Sequence, residues 1–257
     1  TWSYFVDLVF EDVKNGLMEE YGYSAETAVD LIYNAGYRIY ATVDPQIQEI
    51  AESVYEDVSN LNYQSSDGRQ LQSGITIMDP YTGEIVATVG GIGEKTGKRT
   101  CSYASARRPC GSAIKPLSVY APAIENGVIT PASVYDDYPI ELNSRGTGGY
   151  PKNDPSRYRG LVTLSTAVKY SVNTVAVRVL QELGYATSYD FMVNNLNFDL
   201  ETSDLAEAPL AMGGFTYGVS PIEMAAGYSA FINEGVYSTP HTYTQVTDAD
   251  GNVILDN

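Results

Sequence analysis

Two short apolar runs, Ile75 to Met78 and Glu84 to Val89, flank Asp79-Pro80-Tyr81-Thr82-Gly83, and Gly90-Gly91 closes the second. Alternating residues on either side of a five-residue segment built from Asp, Pro and Gly are the signature of a β-hairpin. A hairpin commits its strands to antiparallel pairing, because a parallel pair needs a long crossover. A second hairpin is expected over Thr242 to Leu255, turning at Asp248-Ala249-Asp250-Gly251-Asn252. Helical spacing surrounds these strands. Residues 1–36 carry Phe5, Leu8, Val9, Val13 and Leu17, then Ala28, Leu31 and Ile32, at intervals of three and four. After a short strand over Tyr37 to Val43, Asp44-Pro45 opens a helix with an N-cap and a proline at its first position. The apolar stripe of that helix, Ile47, Ile50, Val54, Val58 and Leu61, reads as a core face. Further on, residues 127–160 read as irregular loop, and two helices are expected near 163–170 and 174–183. Ser220-Pro221-Ile222-Glu223 is a capping box opening one more helix.

Composition narrows the chemistry. Thirty-two acidic residues against 15 basic give a net charge of −17, which argues against nucleic acid as a partner. Two cysteines supply neither a four-cysteine zinc site nor a disulfide framework. The single histidine, His241, leaves a His-based nucleophile device almost without material and reads as structural. No run of 18 apolar residues exists to span a membrane, and the opening Thr1-Trp2-Ser3 reads as part of a longer chain. The charge is uneven. Residues 95–178 hold 12 of the 15 basic residues and only 5 acids, a local surplus of +7.

That cationic segment contains Gly111-Ser112-Ala113-Ile114-Lys115-Pro116. In a helix opening at Ser112, Lys115 lies one turn on and on the same face, within reach of the hydroxyl. The helix start stabilises developing negative charge, and a lysine shielded from water has a lowered pKa and can take the serine proton. Ser171-Val172-Asn173 follows 59 residues after Ser112, between two helical segments. There a hydroxyl can join the proton network and an amide can hold a substrate carbonyl. In order and type these are two of the three motifs of β-lactamases and penicillin-binding proteins. The Asp136-Asp137 pair reads as solvated loop, and Gly146-Thr147-Gly148-Gly149 lacks the context of a phosphate loop.

The likeness extends beyond these motifs. Tyr37-Arg38-Ile39-Tyr40-Ala41-Thr42-Val43-Asp44-Pro45, Asp79 to Ala87 with Gly90-Gly91, Arg107-Arg108, Tyr158-Arg159-Gly160, and Gly213-Gly214-Phe215-Thr216-Tyr217-Gly218-Val219-Ser220-Pro221 all belong to it. The chain resembles the transpeptidase domain of class A, bifunctional penicillin-binding proteins over residues 36–257. Residues 1–35 resemble the linker that follows the family's glycosyltransferase domain. The resemblance implies an α+β fold of the penicillin-binding-protein/β-lactamase kind, an antiparallel sheet flanked by helices and incomplete at its C-terminus. It implies a peptidoglycan D,D-transpeptidase that forms an acyl-enzyme on Ser112, with Lys115 as base, Ser171 as proton relay and Asn173 on the substrate. It calls for no cofactor and no metal. Stem peptides ending in D-Ala-D-Ala and β-lactams would be its partners, and the full-length protein would be membrane-anchored, working at the extracytoplasmic face of the bacterial cell membrane as a target of β-lactams, this fragment itself being soluble.

Two departures from the family matter. Its third motif, Lys-Thr-Gly, comes a hundred residues or more after the Ser-x-Asn, and this chain stops first. Lys95-Thr96-Gly97 spells the motif but precedes the nucleophile, and is read as coincidence. The missing strand carries an oxyanion-hole donor in the family, and loss of such a donor costs on the order of 10²–10³ in rate. A C-terminal fragment carrying Lys-Thr-Gly is therefore expected as a partner, and the chain alone is expected to be weakly active or inactive. A β-lactamase or D,D-carboxypeptidase of the same acylation chemistry, or a non-catalytic fragment, stand as alternatives. The second departure is Pro109-Cys110 before Gly111. Cys101 and Cys110 are compatible with a disulfide in an oxidising compartment and with two free thiols.

Overall fold

The computed structural model describes residues 2–142, 144 and 149–257. The run Gly146 to Gly148 lies outside the described residues. Along the chain run α1 (Tyr4–Tyr21), α2 (Ala25–Asn34), β1 (Arg38–Ala41), α3 (Pro45–Glu56), β2 (Ile75–Met78) and β3 (Ile85–Val89). An irregular helical stretch from Gly111 leads into α4 (Ala121–Glu125), then β4 (Val134–Asp137), β5 (Glu141–Leu142), β6 (Gly149–Tyr150) and β7 (Gly160–Thr163). The remainder is α5 (Leu164–Lys169), α6 (Asn173–Leu183), α7 (Tyr185–Asp190), α8 (Glu207–Met212), α9 (Pro221–Ser229), β8 (Tyr243–Thr247) and β9 (Val253–Asp256). Two compact units form: the chain up to Ala106 together with Ser220–Asn257, and Arg107–Val219.

In the first unit, β1, β8 and β9 make an antiparallel sheet in the order β1-β8-β9, with Ile39 opposite Val246 and Val246 opposite Leu255. Helix α1 lays Phe5, Val9, Val13 and Leu17 on Ile85, Tyr243, Val246 and Leu255, and Ala28 of α2 joins them. The four α1 residues recur every four positions, the spacing that lines one face of a helix. Residues expected as a linker thus supply about half of this core. Helix α1 is capped by Ser3, whose hydroxyl accepts from Val6 N, and ends at Gly22 in the left-handed region (φ 67°).

The hairpin of β2 and β3 forms as expected, with Ile75 opposite Val89 and Ile77 opposite Ala87. So does the cap of α3: Asp44 accepts from the amides of Gln46 and Ile47. The face that α3 buries is a correction. It ends at Glu56, and its buried residues are Gln48, Ala51 and Tyr55, whereas Ile50, Val54 and Val58 are exposed. The reason is a hydrogen-bonding need that outweighs apolar pattern. Gln48 donates to Thr88 O at 3.0 Å and accepts from Thr88 N at 2.9 Å, completing the β3 backbone at a buried position. Rotating Ile50 inward would leave both Thr88 groups unpaired.

The second unit is built around α6, whose Val175, Ala176, Val177, Val179 and Leu180 are all fully buried. A helix apolar on nearly all sides belongs inside a core. The stretch 127–160, expected as loop, contains three short strands: β4 pairs antiparallel with β7, and β5 with β6. Strands of two to four residues give too little alternation to be seen in sequence. Helices with antiparallel ladders make the architecture α+β, the ladders among the described residues being one of three strands and three of two. Among the described residues no helix is long and apolar enough to cross a membrane.

Leu17 is fully buried in the C-terminal part of α1. Its substitution by alanine is expected to destabilise the protein by about 2–5 kcal/mol, the cost of a cavity in a packed core. Chemical denaturation measures this; a loss below about 0.5 kcal/mol would show α1 to be an appendage.

Candidate active site

The stretch from Gly111 to Glu125 is shaped by two prolines, Pro116 and Pro122. Gly111 takes a left-handed conformation (φ 59°) and begins a 3₁₀ turn, Gly111–Ile114. Pro116 has no N–H, so the α-helical bond back to the Ser112 carbonyl cannot form; the Lys115 amide, one residue nearer, takes it. In such a turn residues three apart eclipse, which sets the Ser112 and Lys115 side chains on one face. Ser112 is exposed and Lys115 is 1% exposed. The expected helix start is therefore tighter than an α-turn. Pro122 does the same further on, freeing the Ser118 carbonyl, which accepts from the Ser188 hydroxyl at 2.6 Å. The buried Ser118 hydroxyl donates to Leu210 O at 2.5 Å. These bonds lock the segment to α7 and α8.

The Lys115 ammonium donates to Ser171 O at 2.8 Å, to Ser171 Oγ at 3.1 Å and to Asn173 Oδ1. The structure thus brings three of the four expected site residues into one hydrogen-bonded cluster, with Ser112 one turn from Lys115. Burial lowers the Lys115 pKa to about 8, because the charged form is the one that loses water.

Ser171 owes its position to the end of α5. Val172 N bonds to Ala167 O and Ser171 N to Val168 O, the paired 6→1 and 5→2 bonds of a Schellman motif. Ser171 occupies the left-handed position of that motif (φ 50°), where glycine is the usual residue. A serine there carries backbone strain, which concentrates at functional positions. Asn173 is the first residue of α6; its Nδ2 donates to Lys152 O at 2.6 Å, which fixes the amide with Oδ1 toward Lys115.

Sequence reasoning missed two supports. Asp137, read as solvated, is fully buried and accepts from Thr174 Oγ1 (2.7 Å), Asn153 Nδ2 (2.6 Å) and Arg159 N (3.0 Å). Its partners lie 16 to 37 positions away, so no local pattern betrays it. The second support is the run Gly213–Val219. A Cβ on Gly213 would lie 2.2 Å from Gly111 O, and one on Gly218 would lie 2.1 Å from Arg108 C. Arg108 and Val219 exchange both backbone hydrogen bonds. The backbone before Ser112 is thus held by direct contact at both ends.

A model of the penicillin binding protein transpeptidase domain matches residues 73–256. The chain belongs to this family. It is 33% identical to penicillin-binding protein 1A of Clostridium botulinum over 99% of this chain and 32% of that protein. It is 32% identical to penicillin-binding protein 1F of Bacillus subtilis over 98% of this chain and 32% of that protein. The chain spans about a third of the length of these relatives. Among solved structures it resembles the penicillin-binding protein PonA1 of Mycobacterium tuberculosis in complex with penicillin V (TM-score 0.75, 23% identity, 98% of this chain and 65% of that one). It also resembles penicillin-binding protein 1A of Haemophilus influenzae (TM-score 0.71, 20% identity, 98% and 49%). The fold is that of penicillin-binding-protein transpeptidases, as the sequence resemblance implied.

Lys95 of the Lys95-Thr96-Gly97 run forms a buried ion pair with Asp7 of α1 at 2.8 Å and lies over the Tyr4 ring, an arrangement internal to the first unit. Cys101 and Cys110 are not joined by a disulfide. His241 holds backbone: its amide donates to Gly83 O and its carbonyl accepts from Ile85 N. Among the described residues no group of three or more His, Cys, Asp and Glu is arranged to hold a metal ion.

Glycine at position 171 would relieve the left-handed strain while deleting the hydroxyl. Ser171→Gly is expected to lower stability by about 1 kcal/mol, because the lost acceptor of the buried Lys115 ammonium and the freer unfolded chain outweigh the relieved strain, and to slow acylation. Thermal unfolding and β-lactam labelling of the same preparation measure the two effects.

Proposed function

We propose that this chain is the acylating part of a longer peptidoglycan D,D-transpeptidase, the region 36–257 following a glycosyltransferase domain and the linker 1–35. The observation that carries the proposal is a buried Lys115 ammonium bonded to Ser171 and Asn173, one 3₁₀ turn from an exposed Ser112. With a pKa of about 8, about one Lys115 in ten is neutral at pH 7.

Neutral Lys115 takes the Ser112 proton as Oγ attacks the carbonyl carbon of the penultimate D-Ala. The tetrahedral intermediate collapses by breaking the peptide C–N bond. The proton passes from Lys115 through Ser171 Oγ to the departing amine of the terminal D-Ala. An amino group of a neighbouring stem peptide then attacks the acyl-enzyme, its proton returning along the same path, and Ser112 is released with a new peptide bond made. Asn173 keeps one amide hydrogen beyond the bond to Lys152 O and can offer it to the substrate. β-Lactams acylate Ser112 in the same way. Such substrates place the working enzyme on the extracytoplasmic side of the bacterial membrane.

Covalent labelling of the longer protein by a fluorescent penicillin is the test. Labelling is expected in the native sequence and lost in Ser112→Ala; labelling that survives this change, or none in the native protein, overturns the proposal. The acylation rate is expected to rise with pH through about 8 and then level, because the base is the deprotonated amine. An adduct that decays in seconds, measured after removing free label, would identify a hydrolase instead.

A further inference from the structure

Helix α6 begins with an unmet need. Its N-cap, Val172, has no side-chain oxygen to receive the first free amides. The Asn153 carbonyl oxygen receives them instead, at 2.9 Å from Asn173 N and 3.4 Å from Thr174 N. Asn153 is itself 6% exposed, and its amide nitrogen donates to Asp137 Oδ1 and to Arg157 O. Asp137 also takes the Thr174 hydroxyl, so one carboxylate holds both the capping residue and the helix turn it caps. One residue before Asn153, the Lys152 carbonyl accepts the Asn173 side chain. Placing Asn153 therefore places Lys152 O, and Lys152 O orients the Asn173 amide.

We propose that Asp137 and Asn153 are positioning residues for acylation: they pin residues 152–153 to the first turn of α6 so that Asn173 presents its carbonyl oxygen to Lys115. Neither residue touches Ser112 or Lys115 among the described contacts. A buried carboxylate meets its donors at fixed points, whereas a hydrophobic packing contact would allow the loop to slide. The inference rests on the acyl-transfer reading above.

The test uses the longer protein and a fluorescent penicillin, with the pre-covalent dissociation constant resolved from the acylation rate constant. Asn153→Ala is expected to lower the acylation rate constant about tenfold or more, with the dissociation constant within about threefold of the native value. Thr174→Val keeps the backbone amide and removes only the hydroxyl bonded to Asp137; a loss of about threefold or more is expected. Asp137→Asn alone turns an acceptor into a donor facing Arg159 N, and is expected to be slow. Combined with Asn153→Asp, the donor and acceptor of the 137–153 contact are exchanged: the new amide nitrogen at 137 meets the carboxylate at 153, its oxygen turns back to Arg159 N, and the cap oxygen is kept, while Arg157 O loses its donor, so part of the rate lost in Asp137→Asn is expected to return. Acylation of Asn153→Ala and Thr174→Val within about threefold of native, or a double variant no faster than Asp137→Asn, would overturn the inference. If Asn153→Ala does not fold, Thr174→Val and the paired exchange decide it. A native protein that never labels fails the acyl-transfer reading itself, a result distinct from native-like variants.

Discussion

A charged amine taken out of water must be surrounded by oxygen, and the second unit is organised around meeting that condition for Lys115. Its three acceptors come from two residues, Ser171 and Asn173, that stand on either side of the junction between α5 and α6. One of the three is a backbone carbonyl, so the chain path at the junction matters as much as the side chains. The Schellman bonds that end α5 turn that carbonyl, and Val172, fully buried beside Ala167, anchors the turn by packing. The same burial that demands these oxygens also lowers the affinity of Lys115 for its proton. Acceptors and desolvation pull in opposite directions, and the balance leaves the amine charged at neutral pH yet close to releasing its proton.

Much of this could be read from the residues, and the boundary is physical. Signals confined to a few positions were legible: the Asp44 and Ser220 caps and the Asp79–Gly83 turn appear where expected, and Ser171-Val172-Asn173 falls at a helix junction. What failed depended on distant partners. The outward face of α3 is decided by Thr88, 40 positions from Gln48. The burial of Asp137 is decided by Asn153, Arg159 and Thr174. Two neighbouring aspartates in a polar stretch look alike in sequence, yet Asp137 is buried while the carbonyl of Asp136 accepts from Arg178.

The prolines at 116 and 122 show how a local deficit becomes a long-range tie. Each removes one helix bond and so exposes one carbonyl. At Ser112 the carbonyl is recovered within the chain by tightening the turn. At Ser118 it is recovered by the hydroxyl of Ser188, from another helix. The irregular helix is thus held in register by side chains that a regular helix would not need.

The contacts of Gly213 and Gly218 with the backbone at Gly111 and Arg108 have a consequence for how the nucleophile spends its freedom. Ser112 is exposed, but the chain leading to it is wedged between backbone atoms and cannot swing as a loop tip would. Its positional entropy is surrendered once, when the protein folds, and not again at each encounter with an acyl donor. A serine that is open to solvent and already stationary asks the incoming carbonyl to do the moving.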